Sequence, residues 1–221
     1  MKVLQSTAGK DYRLTQDEFP LTQLLSSAGA KAVLDEFKFQ TSTPAADSSG
    51  IEFFGGSLEH AGETITVPRL HATWNSVTIN IVGRTSEVDT VFNQFIRTVE
   101  KIKKGYKPAI RQADMWSVCI VHLDFDFSKF FNPKVHDFMT KTLATASARD
   151  GYKIAIEPRS FRAIQNYAAV DPANSITMSS KELFFEPRAG TALSEQIYFT
   201  SAALDSDTHL KLLVELERDL K

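Results

Sequence analysis

The chain contains a single cysteine, Cys119, among its 221 residues. One thiol cannot form a disulfide within the chain, and it cannot supply the several thiolates of a structural zinc or iron–sulfur site. The sequence therefore excludes a disulfide-stabilised fold and a thiolate-rich metal centre. It indicates a protein of a reducing compartment, and we expect it to be cytoplasmic.

Long apolar runs are also missing. The sequence has no stretch of about 18 consecutive apolar residues, the length needed to span a bilayer. Its first residues, MKVLQSTAGKDYRLTQ, lack the apolar core of a signal peptide. We therefore expect a soluble, intracellular protein without membrane contacts.

The chain has no excess of charge of either sign, since 25 Lys and Arg residues are balanced by 27 Asp and Glu residues. This balance excludes the global positive field that draws proteins onto nucleic acid. One local stretch is basic, and its phosphate-contact candidates are Lys101, Lys103, Lys104, Lys107 and Arg111. Lysines at the carboxyl end of a helix are favoured by the helix dipole, and we prefer that interpretation to nucleic-acid binding.

Common catalytic motifs are absent as well. The sequence has no Gly-x-Gly-x-x-Gly, no Gly-x-x-x-x-Gly-Lys-Ser/Thr, no Gly-x-Ser-x-Gly and no His-Glu-x-x-His. These patterns build dinucleotide sites, phosphate-binding loops, nucleophilic serines and zinc-protease sites. Their absence argues against the common nucleotide-binding enzymes and serine hydrolases.

Phenylalanine is abundant, with 16 Phe against 5 Tyr and 2 Trp, and 43% of the residues are hydrophobic. A chain of this length and composition can bury a core without metals or disulfides. Aromatic side chains dominate both protein cores and contact surfaces. The Phe residues therefore indicate extensive packing, either within one chain or between chains.

The sequence predicts three segments. Residues 1–50 read as an N-terminal helical arm and linker, 51–110 as a first α+β half and 111–221 as a second; alternatively the last two form one continuous domain. In the first half, Val77, Ile79 and Ile81 alternate as in a strand, and an amphipathic helix follows. The residues that form its apolar stripe are Val88, Val91, Phe92, Phe95 and Val99.

The second half repeats this alternation of strands and helices. A shift of 118 residues carries Ile79 to Ile197 and Phe95 to Leu213. Residues 152–158 read as a further strand, and a helix that starts at Asn132-Pro133 is expected to point Val135 and Phe138 inward. We therefore predict an α+β fold: antiparallel or mixed sheets flanked by amphipathic helices, with two similar strand–loop–helix halves as one alternative.

The stretch CIVHLDFDF, residues 119–127, concentrates candidate catalytic residues. In an extended strand, His122, Asp124 and Asp126 share one face, and neighbours on that face lie about 6.5–7 Å apart. Two carboxylates at that spacing can share Mg²⁺ or Mn²⁺ if another strand supplies a ligand. The alternatives are the solvated face of a sheet, which we prefer, and a partner-binding surface. Cys119 and His122 point to opposite faces, so they cannot form a thiolate–imidazole pair.

We therefore predict a non-catalytic protein–protein interaction or assembly protein, a homo-oligomer without a cofactor. A viral or phage structural component and an adaptor both fit this profile. The alternative is a Mg²⁺- or Mn²⁺-dependent phosphohydrolase or nuclease, with Asp124 and Asp126 as metal ligands and His122 as ligand or general base.

Overall fold

The structure, a computed structural model, describes residues 1–15, 19–46, 49–146, 159–165 and 181–221. Strands and helices alternate along the chain, which confirms the α+β prediction, and every strand pair with a defined register is antiparallel. The predicted strand 152–158 lies outside the described residues.

The elements are β1 (Lys2–Leu14), α1 (Leu21–Leu25), α2 (Ser27–Phe37), β2 (Thr41–Pro44), β3 (Gly50–His60), β4 (Glu63–Thr73), β5 (Ser76–Val82), α3 (Thr85–Ile102), β6 (Ile110–His122), α4 (Pro133–Ala146), β7 (Phe161–Gln165), β8 (Lys181–Pro187), β9 (Ile197–Ala202) and α5 (Ser206–Leu220).

The chain divides into two compact units. The larger unit comprises Gln5–Val118 and Ala203–His209, and the smaller comprises Met1–Leu4, Cys119–Ala202 and Leu210–Lys221. The domain boundaries that we placed at residues 50 and 110 from the sequence stay a prediction, and limited proteolysis can test them. The N-terminal segment differs from the expected helical arm, because residues 2–14 form β1 and pair with β5.

The strand order of the larger unit is β2-β3-β4-β5-β1, followed by the residues of β6 up to Val118. In the core of this unit, every second residue of the strands packs against the apolar side of the helices. Val77, Ile79 and Ile81 are fully buried, and the apolar stripe predicted for α3 lies in the same cluster. The strand and helix periodicities read from this part of the sequence are therefore confirmed.

The strand order of the smaller unit starts from the last residues of β6 and continues β9-β8-β7. Every second residue is buried along the run that begins in β6 and continues past its end: Cys119, Val121, Leu123, Phe125 and Phe127. The Phe125 ring stacks on Tyr198 at 5.4 Å between centroids, and the Tyr198 hydroxyl donates to the Phe125 carbonyl at 2.7 Å. Leu213 of α5 completes this cluster.

Helix α4 differs from the sequence expectation. Val135 and Phe138, predicted to point inward, are 52% and 66% exposed. In an α-helix, residues three apart lie on the same side, so both belong to one solvent-facing side of α4. No helix in the described ranges combines the length and the apolar character needed to cross a lipid bilayer.

Candidate interaction surface

The β-sheet of the smaller unit has a second face, opposite to its buried core. Side chains alternate along each strand, so the neighbours of the buried residues point to this other side. Those neighbours are half-buried or exposed. We call them the outer face: Ile120 and His122 of β6, Ile197, Phe199 and Ser201 of β9, Glu182, Phe184 and Glu186 of β8, and Arg162 and Ile164 of β7.

An aromatic contact lies at the centre of the outer face. The Phe184 and Phe199 rings are 6.1 Å apart at an interplanar angle of 64°, an edge-to-face arrangement. Arg162 lies directly opposite Phe184 in the β7–β8 register, and its guanidinium carbon is 4.7 Å from the Phe184 ring centroid. The same guanidinium forms an ion pair with Glu182 at 3.5 Å. The ion pair with Glu182 and the cation–π contact with Phe184 therefore both hold the Arg162 guanidinium over the ring.

The rim of the outer face is charged, and its apolar part reaches the solvent. Ile164 is 62% exposed. Arg162 and Glu182 keep 63% and 45% of their side-chain surface exposed, although they form an ion pair. Aromatic and aliphatic side chains with charged residues around them are typical of protein contact surfaces.

The three metal candidates lie at and just beyond the end of β6. The strand ends at His122, which is half-buried on the outer face. The Asp124 carboxylate lies 3.2 Å from the Lys221 ammonium. The Asp126 carboxylate accepts a 2.8 Å hydrogen bond from the Ser128 N–H and so caps the short 3-10 turn that follows.

These partners leave no built metal centre in the parts of the chain that the structure describes. No group of three or more His, Cys, Asp or Glu side chains there could hold a metal ion. Asp124 and Asp126 do lie on the same, exposed side, as the sequence predicted. The residues that alternate with them are buried: Leu123, Phe125 and Phe127. The metal-dependent hydrolase stays a prediction, and this geometry does not favour it.

Sequence reasoning missed a buried carboxylate beside these acids. Glu217 of α5 is 7% exposed and accepts from the Asp124 N–H at 2.8 Å and from the Met1 ammonium at 2.7 Å. Burial alone would raise the pKa of Glu217, but these two donors and the Lys221 ammonium hold it below its ordinary value. Glu217 is therefore ionised and ties three parts of the smaller unit together. The available signal was a charged residue within the apolar stripe of α5.

The basic candidates lie in the larger unit, from the last turn of α3 through the following loop to the start of β6. Lys101 is in the last turn of the helix, and its ammonium is 3.7 Å from the Glu36 carboxylate. Lys103 is the C-cap residue, and its N–H donates to the Val99 carbonyl. Lys104, Lys107 and Arg111 are exposed. This placement agrees with lysines that stabilise a helix carboxyl end, while phosphate contact stays a prediction.

A buried serine–histidine pair in the larger unit also escaped sequence reasoning. The Ser117 hydroxyl lies 2.7 Å from Nδ1 of His209, and both residues are fully buried. Burial lowers the pKa of His209 to about 4, so its imidazole is neutral at physiological pH. A nucleophile must reach its substrate, so this enclosed pair acts as a core hydrogen bond.

The other face of the larger unit's sheet is polar. Arg69 lies opposite Asn80 in the β4–β5 register, and Asn80 lies opposite Gly9 in the β5–β1 register. Trp116 lies against Gly9, because a Cβ built on Gly9 would come 2.2 Å from Cζ2 of the indole. Arg69 also donates to Glu52. The acidic and basic groups of this face form ion pairs with each other.

An open depression of about 540 Å³ lies beside α1 and α2 in the larger unit. The residues that line it are Thr22, Gln23, Ser26, Ala28, Gly29 and Ile102. The Ser26 hydroxyl already accepts from the Gly29 N–H at 3.1 Å and donates to the Gln23 carbonyl at 2.6 Å. The polar groups that cap α2 are thus used within the fold.

Among these features, the outer face combines exposed apolar surface, an aromatic pair and a charged rim. Neither a protein-family model nor a curated protein matches this chain. Function is therefore argued from the arrangement of its own residues.

Proposed function

We propose that this chain is a non-catalytic interaction and assembly protein that self-associates through the outer face of its smaller unit. The observation that carries the proposal is the edge-to-face pair of Phe184 and Phe199 outside the buried core. Core packing accounts for the Phe residues of the two buried clusters, but it does not account for these two. Contact with another protein would bury them.

The charged groups around these rings support a protein partner. Arg162, Glu182 and Glu186 surround the aromatic pair, and both signs of charge are present. A mixed rim permits contact with a second copy that carries the same charges, because each cation can meet an anion of the partner. A viral or phage structural subunit and an adaptor both use such contacts.

The test is the molar mass in solution, measured by light scattering over a wide range of protein concentration. Phe199→Lys is the informative variant, because residue 199 lies opposite Glu186 and the new ammonium can pair with that carboxylate. The strand pairing is then kept while the aromatic contact is lost. Val214→Lys is the matched control, since Val214 is 48% exposed but belongs to α5.

We expect the wild type and the Val214→Lys variant to form a defined oligomer, and the Phe199→Lys variant to shift at least tenfold toward monomer. A wild type that stays monomeric at every concentration would contradict self-association. Equal oligomerisation of all three proteins would place the interface elsewhere.

We also propose that the two units are the two similar halves considered in the sequence analysis. Strands β3-β4-β5-β1 are neighbours in this order in the larger unit, and β7-β8-β9-β6 in the smaller. Ser76 starts β5 and Ile197 starts β9, 121 positions later; Thr85 starts α3 and Ser206 starts α5, again 121 positions later. The element starts therefore give a shift of 121, three residues more than the 118 read from the sequence. Buried Val77 then corresponds to buried Tyr198. An experimental structure with a different strand order in either unit would contradict this relation.

A further inference from the structure

The segment Ala203–His209 is a short part of the larger unit that joins β9 to the rest of α5. Two of its side chains are fully buried, Ser206 and His209, and both are polar. Asp207 and Thr208 are exposed, and the remaining residues are half-buried. A segment that buries little apolar surface can open while the rest of a protein stays folded. Its attachment to the larger unit therefore depends on the hydrogen bonds of Ser206 and His209.

Ser206 attaches the segment through a reciprocal contact with Thr85. The Thr85 N–H donates to the Ser206 hydroxyl at 3.0 Å, and the Ser206 N–H donates to the Thr85 hydroxyl at 2.9 Å. These residues begin α3 and α5, where backbone N–H groups have no acceptor within their own helix. Each side chain therefore caps the other helix. Both groups are neutral, so acid does not break this contact.

His209 attaches the segment through Ser117 of β6, whose hydroxyl lies 2.7 Å from Nδ1. The pair is fully buried, and burial lowers the pKa of His209 to about 4. A protonated imidazole carries a hydrogen on both ring nitrogens, so Nδ1 can no longer accept from the hydroxyl. The charge would also be removed from water, which is costly without a carboxylate beside it. This second contact therefore requires a neutral imidazole.

The charged groups on the elements that hold the segment are engaged elsewhere or exposed. In the same turn, the Asp205 carboxylate accepts from the Thr208 N–H, and Asp207 is exposed. At the start of α3, the Glu87 carboxylate accepts from the Arg84 N–H. On β6, the neighbours on the same side as Ser117 are uncharged residues: Met115 and Cys119. Burial accounts for the lowered pKa of His209, and these groups do not offset a proton there.

We propose that Ala203–His209 is an acid-sensitive latch: protonation of His209 releases this segment from the larger unit while the sheet and α3 stay folded. In the released segment the imidazole is in water, where its pKa is about 6.5. The pKa of the docked imidazole is lower, so the released form gains a proton as the pH falls through 6.5 and the docked form does not. From these two values, the ratio of released to docked chains should rise about twentyfold between pH 7 and pH 5.

Amide hydrogen exchange, followed by NMR on the whole chain at pH 7 and pH 5, tests the latch. Protection factors correct for the intrinsic pH dependence of exchange and report how often each amide opens. The Ser206 amide reports on the latch, and the amides of Phe95 and Val99, buried in α3, report on unfolding of the larger unit. A local opening exposes little surface, so dilute urea changes it little, whereas urea strongly promotes global unfolding.

We expect the Ser206 amide to be less protected than the Phe95 amide, nearly insensitive to urea, and about twentyfold less protected at pH 5 than at pH 7. His209→Gln should reduce that ratio below about twofold, because the titrating group is gone. Ser206→Ala keeps the imidazole, so its His209 amide should open more often at both pH values with the same pH ratio.

Equal protection of the wild-type Ser206 amide at pH 7 and pH 5 would overturn the latch. The same protection and urea dependence for the Ser206 and Phe95 amides would also overturn it, because the segment would then open only when the whole unit unfolds. An equal fall in His209→Gln would show that another group titrates.

Discussion

Acidification should destabilise the larger unit through a single buried histidine. The pKa of His209 is about 4 in the folded chain, against an ordinary value of 6.5, because burial disfavours the charged imidazole. Well above pH 6.5 the imidazole is neutral in both states and stability does not depend on it. Below that pH the unfolded chain binds a proton that the folded chain cannot bind, so the free energy of unfolding falls.

The size of the effect follows from the two pKa values. A difference of about 2.5 corresponds to about 3 kcal/mol once the pH is below both values. Between pH 7 and pH 5, where only part of the difference acts, the loss is about 2 kcal/mol. His209 is fully buried, so solvent screening does not reduce this figure.

Urea unfolding between pH 7.5 and pH 4.5, followed by tryptophan fluorescence, measures this loss. Both tryptophans of the chain, Trp74 and Trp116, belong to the larger unit and so report on the unit that contains His209. His209→Gln removes the titrating group, and His60→Gln replaces an exposed histidine as the control. Differences between variants at each pH cancel the contribution of the carboxylates.

We expect His209→Gln to be less stable than the wild type at pH 7.5 and to lose about 2 kcal/mol less on going from pH 7 to pH 5. The His60→Gln control should follow the wild type. If the wild type and His209→Gln lose stability in parallel, the buried neutral imidazole is not the cause and the reasoning fails.

Three further predictions concern packing, a buried hydroxyl and metal binding. Gly9→Val should cost about 1–3 kcal/mol, because its side chain would overlap the Trp116 indole; an unchanged urea midpoint and emission maximum would contradict this. Asp89→Ala should cost at least about 1–3 kcal/mol, since it leaves the buried Tyr12 hydroxyl without its 2.7 Å acceptor and the Lys10 ammonium without its 2.6 Å partner; Tyr12→Phe in the same background should recover only the part due to the hydroxyl, and no recovery in urea unfolding would contradict this. Millimolar Mg²⁺ or Mn²⁺ should leave the thermal midpoint unchanged, and a rise that Asp124→Ala abolishes would instead support the metal-dependent hydrolase.

The sequence predicted those parts of the fold in which one side of an element is buried. The alternation of apolar and polar residues from Cys119 to Phe127 correctly predicted which side chains are buried, even though β6 stops at His122. Beyond the strand end the Asp124 N–H donates to the Glu217 carboxylate instead of to a strand, and the Asp126 carboxylate then caps a 3-10 turn. Alternation of burial thus continues past the strand itself, and that is why periodicity located the core but not the strand end.

Pairing partners and capping groups could not be read in the same way. Residues 2–14 alternate weakly and become β1 because they pair with β5, a partner distant in sequence. Helix α4 has an apolar stripe, yet Val135 and Phe138 face solvent. A periodic stripe predicts an amphipathic helix, but only tertiary contacts decide which side is covered.

The sequence suggested a contact surface between chains but did not show which residues form it. An excess of Phe suggested contacts between chains, whereas the outer face depends on the registers that bring Arg162, Phe184 and Phe199 together. Those registers are long-range pairings that no local motif encodes. The acids after β6 stood out more clearly in the sequence, but each has a partner within the fold.

The burial of Cys119 makes its thiol a reporter of opening in the smaller unit. A thiol reagent cannot reach a fully buried sulfur, so modification of this residue must await a transient opening of the surrounding core. The rate of labelling would therefore measure how often that core opens, while tryptophan emission follows the larger unit. With one thiol in the smaller unit and both indoles in the larger, the chain carries separate kinetic and optical probes for its two units.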